Sequence, residues 1–368
     1  MDSQIDLFVA TGEMSGDLHG AKLIEELLLI QPHLKIGAVA GPKMRKLNIQ
    51  EFFPMETLRV MGFIDVLIAL PKILRQFFAI RNKILELSPK AVVFIDYPGF
   101  HLRLQRSLRK KGYRGKLIHF ICPTVWAWGK KRIPLMAKNL DLLLTLFPFE
   151  KSCFTHTQLP VQYIGHPLSL PISQFTPTHK FAGKILGLFP GSRKKEIERN
   201  LPLQLKAAQK LQALDPDLKI IISIAHPDLR PHLPNIAYAE PEDNYELMRA
   251  CHLAIATSGT VTLELALHGT PTVVNYAIKP LDCFLAQKIF RINLPYYCIA
   301  NIVINKPAFP ELFGPNLTEE NLFFEAQKLW FDSAARATCL SLCAEVRNSL
   351  GNKRAAHEAA QSVVSTIK

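Results

Sequence analysis

The sequence has no uninterrupted apolar run of the ~18 residues that a membrane-spanning helix requires, although 48% of its residues are hydrophobic. It also has no CxxC pair. Seven cysteines are scattered at positions 122, 153, 251, 283, 298, 339 and 343. An odd, unpatterned set of this kind excludes a disulfide framework, and Cys339 with Cys343 would be half a metal site whose other half is missing. GxGxxG, GxxxxGK[ST] and HExxH are all absent, which argues against dinucleotide binding, phosphoryl transfer from ATP and zinc-peptidase chemistry. Met1-Asp-Ser-Gln-Ile-Asp has no basic run ahead of its first apolar stretch, so no secretory leader is expected and the default compartment is cytoplasmic. Acid is in deficit, 31 Asp+Glu against 44 Lys+Arg, for a formal net charge of +13. The imbalance is concentrated in residues 1–168, with 23 cations against 13 anions, whereas residues 169–368 carry 21 against 18. A nucleic acid, an anionic membrane or a phosphorylated substrate would suit the first half.

What is present is an alternation of short apolar runs with amphipathic stretches over 368 residues, enough for two domains. Ile5–Ala10, Ile36–Ala40, Ala91–Ile95, Leu117–Ile121 and Leu140–Leu146 read as strands; Gly20–Ile30 and Leu102–Lys111 read as helices. After a proline-bearing segment, Pro167–Lys180, the theme restarts. Lys184–Phe189 and Lys219–Ile224 read as strands around a helix Leu201–Leu214, and Leu253–Ala256, Leu263–Leu267 and Thr272–Val274 continue it. Strands that alternate with helices form parallel sheets. The expectation is α/β, with two Rossmann-like domains, 1–168 and 169–368. Ala334–Ile367 reads as helix throughout, crossing back to the first domain or swapping to a partner subunit in a homodimer.

Five loops could carry chemistry, because open parallel sheets present ligands beyond the carboxyl ends of their strands. Gly12-Glu13-Met-Ser-Gly16-Asp17 follows the first strand. It is either an anion-friendly loop or a plain turn whose Asp17 offsets a helix dipole. Asp96, in Phe-Ile-Asp96-Tyr-Pro-Gly99-Phe-His101, ends a strand. It is either a half-shielded general base or a turn cap. Cys122-Pro-Thr-Val-Trp126-Ala-Trp128-Gly-Lys-Lys-Arg132 offers stacking and cations, as a nucleic-acid contact, a sugar platform or a core plug. Gly191-Ser192-Arg193 and Ser258-Gly259-Thr260 open helices with free N–H groups. Arg193 is a fork suited to phosphate, and Glu264 is placed to bind vicinal hydroxyls. Together these last two loops describe a nucleoside-diphosphate site. Phe63–Arg81 is more apolar than one core-facing stripe needs. It either lies on a membrane through Ile68, Leu74 and Phe77, or is sandwiched in the core.

Taken in order, VATGEMSGD, AGPKM, VMGFIDVL, VVFIDYPGFH, PTVWAWGKKR, LFPFEK, YIGHP, LFPGSR, TSGTVTLE and IANIVINKPAFPEL resemble the lipid-A-disaccharide synthase family. The resemblance implies a GT-B fold, two Rossmann-like domains facing a cleft. It implies an inverting transfer from UDP-2,3-diacylglucosamine to 2,3-diacylglucosamine 1-phosphate, giving a β-1,6 disaccharide 1-phosphate and UDP in lipid A biosynthesis. No metal and no cofactor are implied, and the enzyme would be peripheral to the inner membrane. By motif, Asp96 would be the general base and Glu13 would lie on the acceptor side. Gly191, Ser192, Arg193, Ser258, Gly259, Thr260 and Glu264 would handle UDP, with Asn301 near the donor. The chain departs from the family where Gly99 and His101 replace a carboxylate and an amide, and where Cys122 replaces a serine. A UDP-sugar epimerase on the same double-Rossmann plan is the alternative. Nucleic-acid binding is not supported by any readable motif.

Overall fold

The computed structural model describes residues 5–58, 63–234, 236–277 and 294–367, without the side chains of 63–69 and 231. The chain divides into two compact units, residues 1–167 with 353–368, and residues 168–352.

Unit 1 is built on a seven-stranded, wholly parallel sheet. Its strands are β1 (Leu7–Ala10), β2 (Ile36–Ala40), β3 (Gln50–Pro54), β4 (Ala91–Ile95), β5 (Lys116–Phe120), β6 (Leu142–Thr145) and β7 (Val161–Tyr163). Their order in the sheet is β3-β2-β1-β4-β5-β6-β7. The apolar runs are continuous because helices cover both faces. Alternate residues point to opposite faces of the sheet. Leu7 and Val9 join one buried cluster with Leu23, Ile24, Leu27, Ala359 and Val363, while Phe8 and Ala10 join another with Ile80, Ile84, Leu104 and Leu108. The covering helices are α1 (Met14–Ile30), α2 (Phe63–Leu87), α3 (Pro98–Lys110) and α4 (Arg132–Asn139). The C-terminal helix Ala355–Ile367 packs on α1 of its own chain. Arg354 and His357 fix its start by bonding to Glu26 at 2.7 and 2.8 Å.

Unit 2 repeats the plan with a six-stranded parallel sheet in the order β10-β9-β8-β11-β12-β13. Its strands are β8 (Lys184–Phe189), β9 (Leu218–Ser223), β10 (Tyr238–Ala239), β11 (Leu253–Thr257), β12 (Thr272–Tyr276) and β13 (Glu311–Phe313). Its helices include α5 (Ser169–Ser173), α6 (Lys194–Leu214), α7 (Asn244–Ala250), α8 (Thr260–His268), α9 (Ile299–Ile304), α10 (Glu319–Phe331) and α11 (Ser333–Leu350).

Several boundaries differ from the sequence reading, each for a local reason. Helix α1 begins six residues before Gly20, so most of the first glycine-bearing loop is helical. Asp17 is accordingly buried in the first turns, where its carboxylate accepts from the N–H groups of Gly41, Lys43 and Met44 at 2.8–3.1 Å. It braces the turn after β2 as well as standing, as an acid, in the first turn of α1. Leu263–Leu267 lies inside α8, between β11 and β12, as the repeated strand–helix–strand theme and the helix start at Ser258–Thr260 imply. The last helical stretch is broken at Gly351, which takes a left-handed φ of 58°. The linker-like segment contains α5, and Thr178 within it donates its N–H to Glu246 at 2.5 Å.

Candidate active site

In unit 2, the loop after β8 leads into α6 and the loop after β11 leads into α8, and both border one pocket of about 690 Å³. Gly191, Ser192, Arg193, Ser258, Gly259, Thr260 and Glu264 all line it. Tertiary structure thus brings together seven of the residues singled out from sequence, from two stretches about sixty-five residues apart. Gly191 has a φ of 121°, and a Cβ there would lie 2.7 Å from Glu196 Cβ, so the turn into α6 requires glycine. Neither α6 nor α8 has a side-chain cap, which leaves first-turn N–H groups available to an anion. Each helix start carries about half a positive charge. Arg193 adds a full one, and its exposed guanidinium reaches Glu196 at 3.0 Å. Glu196 also accepts from the Ser192 N–H at 3.1 Å. It is the anion that Arg193 would exchange for a phosphate.

Glu264 stands on the first turns of α8, and burial raises its carboxyl pKa above the ordinary value. Tyr245, also on the pocket wall, donates its hydroxyl to Glu264 at 3.5 Å. Neither Tyr245 nor Glu196 was singled out from sequence. The only signal for Glu196 is an acid three residues after a helix-start residue; Tyr245 gives none, because its role depends on α7 packing against α8. Asn301 is not brought to this pocket. It is fully buried, donating to Phe309 O at 2.8 Å and Glu311 Oε1 at 2.6 Å and accepting from the Phe309 N–H at 2.9 Å. Its amide is spent on holding the turn before β13.

In unit 1, Asp96 and Tyr97 follow β4 with consecutive left-handed φ values of 49°. Pro98 opens α3 and disfavours the right-handed helical region for the residue before it. Two such residues cost on the order of 1–3 kcal/mol each, so surrounding bonds must hold the turn. The Asp96 N–H donates to Phe120 O at 2.9 Å, Tyr97 Oη to Leu58 O at 3.0 Å, and His101 Nδ1 bonds to Asp96 O at 2.7 Å. His101 is therefore a brace in the turn, wholly buried, with burial pushing its pKa down to about 4. Gly99, beside it, is exposed.

The Asp96 carboxyl is half-buried, and desolvation raises its pKa. Glu13, at the N-cap of α1, is raised first by partial desolvation and then by the charge of Asp96. The two carboxyls are thus electrostatic neighbours. A Cβ on Gly12 would sit 2.3 Å from the Tyr97 ring, so that glycine is what allows the first loop to close on the Asp96 turn.

In the stretch after β5, Trp126 packs edge-on to Phe149 with ring centres 5.5 Å apart, while Trp128 stays exposed with the Arg132 guanidinium 4.6 Å above it. One tryptophan is a plug and the other a platform. Behind them, Glu150 is buried and accepts from the N–H groups of Leu146 and Phe147 at 3.2 and 3.0 Å. Burial raises its pKa to about 8.

Helix α2 resolves part of the ambiguity in Phe63–Arg81. Ile73 and Phe77 pack on the core with Ile80 and Ile84, and Phe77 meets Phe100 edge-on at 5.5 Å. Phe77 is therefore a core residue, correcting its assignment to a lipid face. Leu70, Leu74 and Phe78, four residues apart and so on one helical face, remain 45, 46 and 47% exposed. Lys72 and Arg75 are exposed with them, and Arg81 lies 4.9 Å over the Phe78 ring. Ile68 lies outside the described side chains. No helix among the described residues is long and apolar enough to cross a membrane.

A family model described as lipid-A-disaccharide synthetase matches residues 7–364. The chain is 38% identical over 324 residues to a lipid-A-disaccharide synthase of Chlamydia trachomatis serovar D, covering 83% of this chain and 53% of that protein. It thus spans about half the length of the chlamydial relatives it matches. It is 32% identical over 358 residues to a lipid-A-disaccharide synthase of Nitrosococcus oceani, covering 93% of this chain and 92% of that one. Among solved structures, a glycosyltransferase of kitacinnamycin superposes with a TM-score of 0.62 at 13% identity over the whole of both chains. A putative UDP-N-acetylglucosamine 2-epimerase from Listeria monocytogenes gives 0.61 at 13% identity, covering 100% of this chain and 96% of that one. At that identity these two establish the fold, GT-B, and nothing about the reaction.

Proposed function

The chain belongs to the lipid-A-disaccharide synthase family, and from that premise we propose that it is an inverting glycosyltransferase of lipid A biosynthesis. The donor is UDP-2,3-diacylglucosamine, the acceptor 2,3-diacylglucosamine 1-phosphate, and the products a β-1,6-linked disaccharide 1-phosphate and UDP. The observation that carries this reading is the convergence of the Gly191–Arg193 and Ser258–Thr260 loops, with Glu264, on one pocket. Two uncapped helix starts and one arginine suit a diphosphate, and an adjacent carboxylate suits ribose hydroxyls. The epimerase alternative retains the likeness of fold alone.

In the proposed reaction Asp96 accepts the proton of the acceptor 6-hydroxyl as that oxygen bonds to the anomeric carbon. Desolvation, by raising the Asp96 pKa, makes the carboxylate a better proton acceptor. The bond from the anomeric carbon to UDP breaks in the same displacement, inverting the centre. The negative charge gathering on UDP is met by Arg193 and the N–H groups at the starts of α6 and α8. Glu13 serves the acceptor side, its carboxyl raised in pKa first by partial desolvation and then by the neighbouring charge of Asp96. Unit 1 carries the acceptor and lies against the inner membrane through Leu70, Leu74 and Phe78, with Lys72, Arg75 and Arg81 reaching anionic headgroups. Unit 2 carries the donor.

The deciding experiment supplies UDP-diacylglucosamine and diacylglucosamine 1-phosphate together and separately, and follows products by mass. The disaccharide 1-phosphate and UDP should appear only with both substrates. Epimerised UDP-sugar formed without acceptor would overturn the assignment.

A further inference from the structure

Helix α8 has the donor pocket at its N-terminus and a second hollow, of about 360 Å³, at its C-terminus. Arg249 of α7 and Arg347 of α11 both line this second hollow, with Ser173 and Phe175 from the α5 segment and His268 from α8 itself. No Asp or Glu lines it. Arg249 Nη1 donates to His268 O at 2.9 Å, and Arg347 Nη1 to Leu267 O at 3.5 Å. Two guanidinium charges thus answer a helix end worth about half a negative charge. Each guanidinium offers five donors in a fixed fork, of which these contacts use one. Among the described residues, neither arginine is ion-paired to a carboxylate. His268, only 3% exposed, has an Nε2 with no hydrogen-bond partner. Burial, reinforced by both arginines, holds its pKa at about 4, so the ring is neutral near pH 7.

A hollow with two under-used positive forks, an unpartnered imidazole nitrogen and no acid suits an anion. We propose that it binds a phosphate-class oxyanion between Arg249 and Arg347. The planar forks match phosphoryl oxygens in pairs, as a lysine pair would not. The Ser173 hydroxyl already donates to Leu170 O at 2.8 Å, so the arginines supply the specificity. This site is separate from the donor pocket and does not depend on what that pocket binds.

The test is calorimetric titration of the full chain with inorganic phosphate at constant ionic strength, with and without saturating UDP. Glucosamine 1-phosphate in a parallel arm distinguishes a free phosphate from a phosphorylated sugar. Expected is saturable phosphate binding that persists when UDP is present. Arg249→Gln or Arg347→Gln should weaken it about tenfold or more, the cost of a charge-assisted bond, while UDP binding is unchanged. Arg249→Lys, which retains the charge but not the fork, should weaken it less than Arg249→Gln. Tighter binding of the sugar phosphate than of phosphate would assign the site to a phosphorylated ligand of the same class. Absence of a UDP-insensitive phosphate site in the wild type, or unaltered binding in Arg249→Gln, would overturn the proposal. Failure of UDP to bind at all would instead count against the donor reading and leave the phosphate titration interpretable without it.

Discussion

The two regions that gather the candidate functional residues are built on opposite physical principles. The Asp96 turn in unit 1 is half-buried, braced by His101, closed in by Tyr97, and held in two consecutive left-handed conformations. The pocket in unit 2 is open and lined by backbone N–H groups, hydroxyls and an exposed arginine. A proton acceptor gains strength from losing water, because desolvation raises a carboxyl pKa. A diphosphate site needs donors that a charged ligand can reach with little reorganisation. The strain and burial of one region, and the exposure of the other, suit the separate tasks proposed for them.

The largest expected effect breaks the comparison on the unit 1 side. Asp96→Asn should lower kcat by about 10²–10⁴-fold, the range for loss of a general base, while UDP affinity holds. Because the folded state disfavours the ionised Asp96, the amide should melt no lower than the wild type at neutral pH. A folded Asp96→Asn variant with near-full turnover would reduce Asp96 to a turn cap.

Next in size is the contrast along α2. Phe77→Ser opens a cavity in the core and should cost roughly 2–5 kcal/mol in a denaturant titration. Leu74→Ser and Phe78→Ser should leave stability within about 1 kcal/mol, as surface changes do, yet reduce co-sedimentation with anionic vesicles. Equal destabilisation at positions 77 and 78 would return the outer stripe to the core.

On the unit 2 side, Arg193→Ala and Glu264→Ala should each weaken UDP binding by roughly 1.5–3 kcal/mol, the value of hydrogen bonds to charged groups. With uridine in place of UDP the Arg193 loss should shrink and the Glu264 loss persist. Equal Arg193 losses for both ligands would remove the phosphate from its role.

The smallest effects are in pH. Asp96 must be ionised to accept a proton, so kcat/KM should rise with pH through a midpoint above the ordinary 3.8. Glu150 makes a stability prediction of the opposite direction. Its folded-state pKa is raised from 4.5 to about 8, so the folded chain retains a proton that the unfolded chain releases. Stability from this group is complete at low pH and falls as pH rises between those values. Glu150→Gln should flatten that slope in melting curves taken from pH 5 to 8.

Much of the fold was legible because parallel strands covered on both faces are nearly pure apolar runs, and Ala91–Ile95 and Lys184–Phe189 were read to the residue. The short edge strands β3, β7, β10 and β13 were not. Gln50–Pro54 carries a polar residue, an acid and a proline, and an edge strand needs neither a continuous run nor every N–H. The glycine and hydroxyl loops were legible because the need for free N–H groups restricts which residues can occupy them.

By itself, then, the sequence determined the alternation of elements, the strand-end positions of Asp96 and Thr257–Ser258, the excess of positive charge in residues 1–168 and the motifs of the family. Local backbone chemistry suffices for all of these. Only the tertiary structure decided that Asn301 is bound to its own loop, that Tyr245 reaches Glu264, that Phe77 faces inward while Phe78 faces out, and that Arg249 and Arg347 converge on the end of α8. The Asn301 bonds close a turn onto residues eight and ten positions on; the other three depend on which surfaces of different elements meet, and that is set by packing between residues far apart in the chain, where no spacing records it.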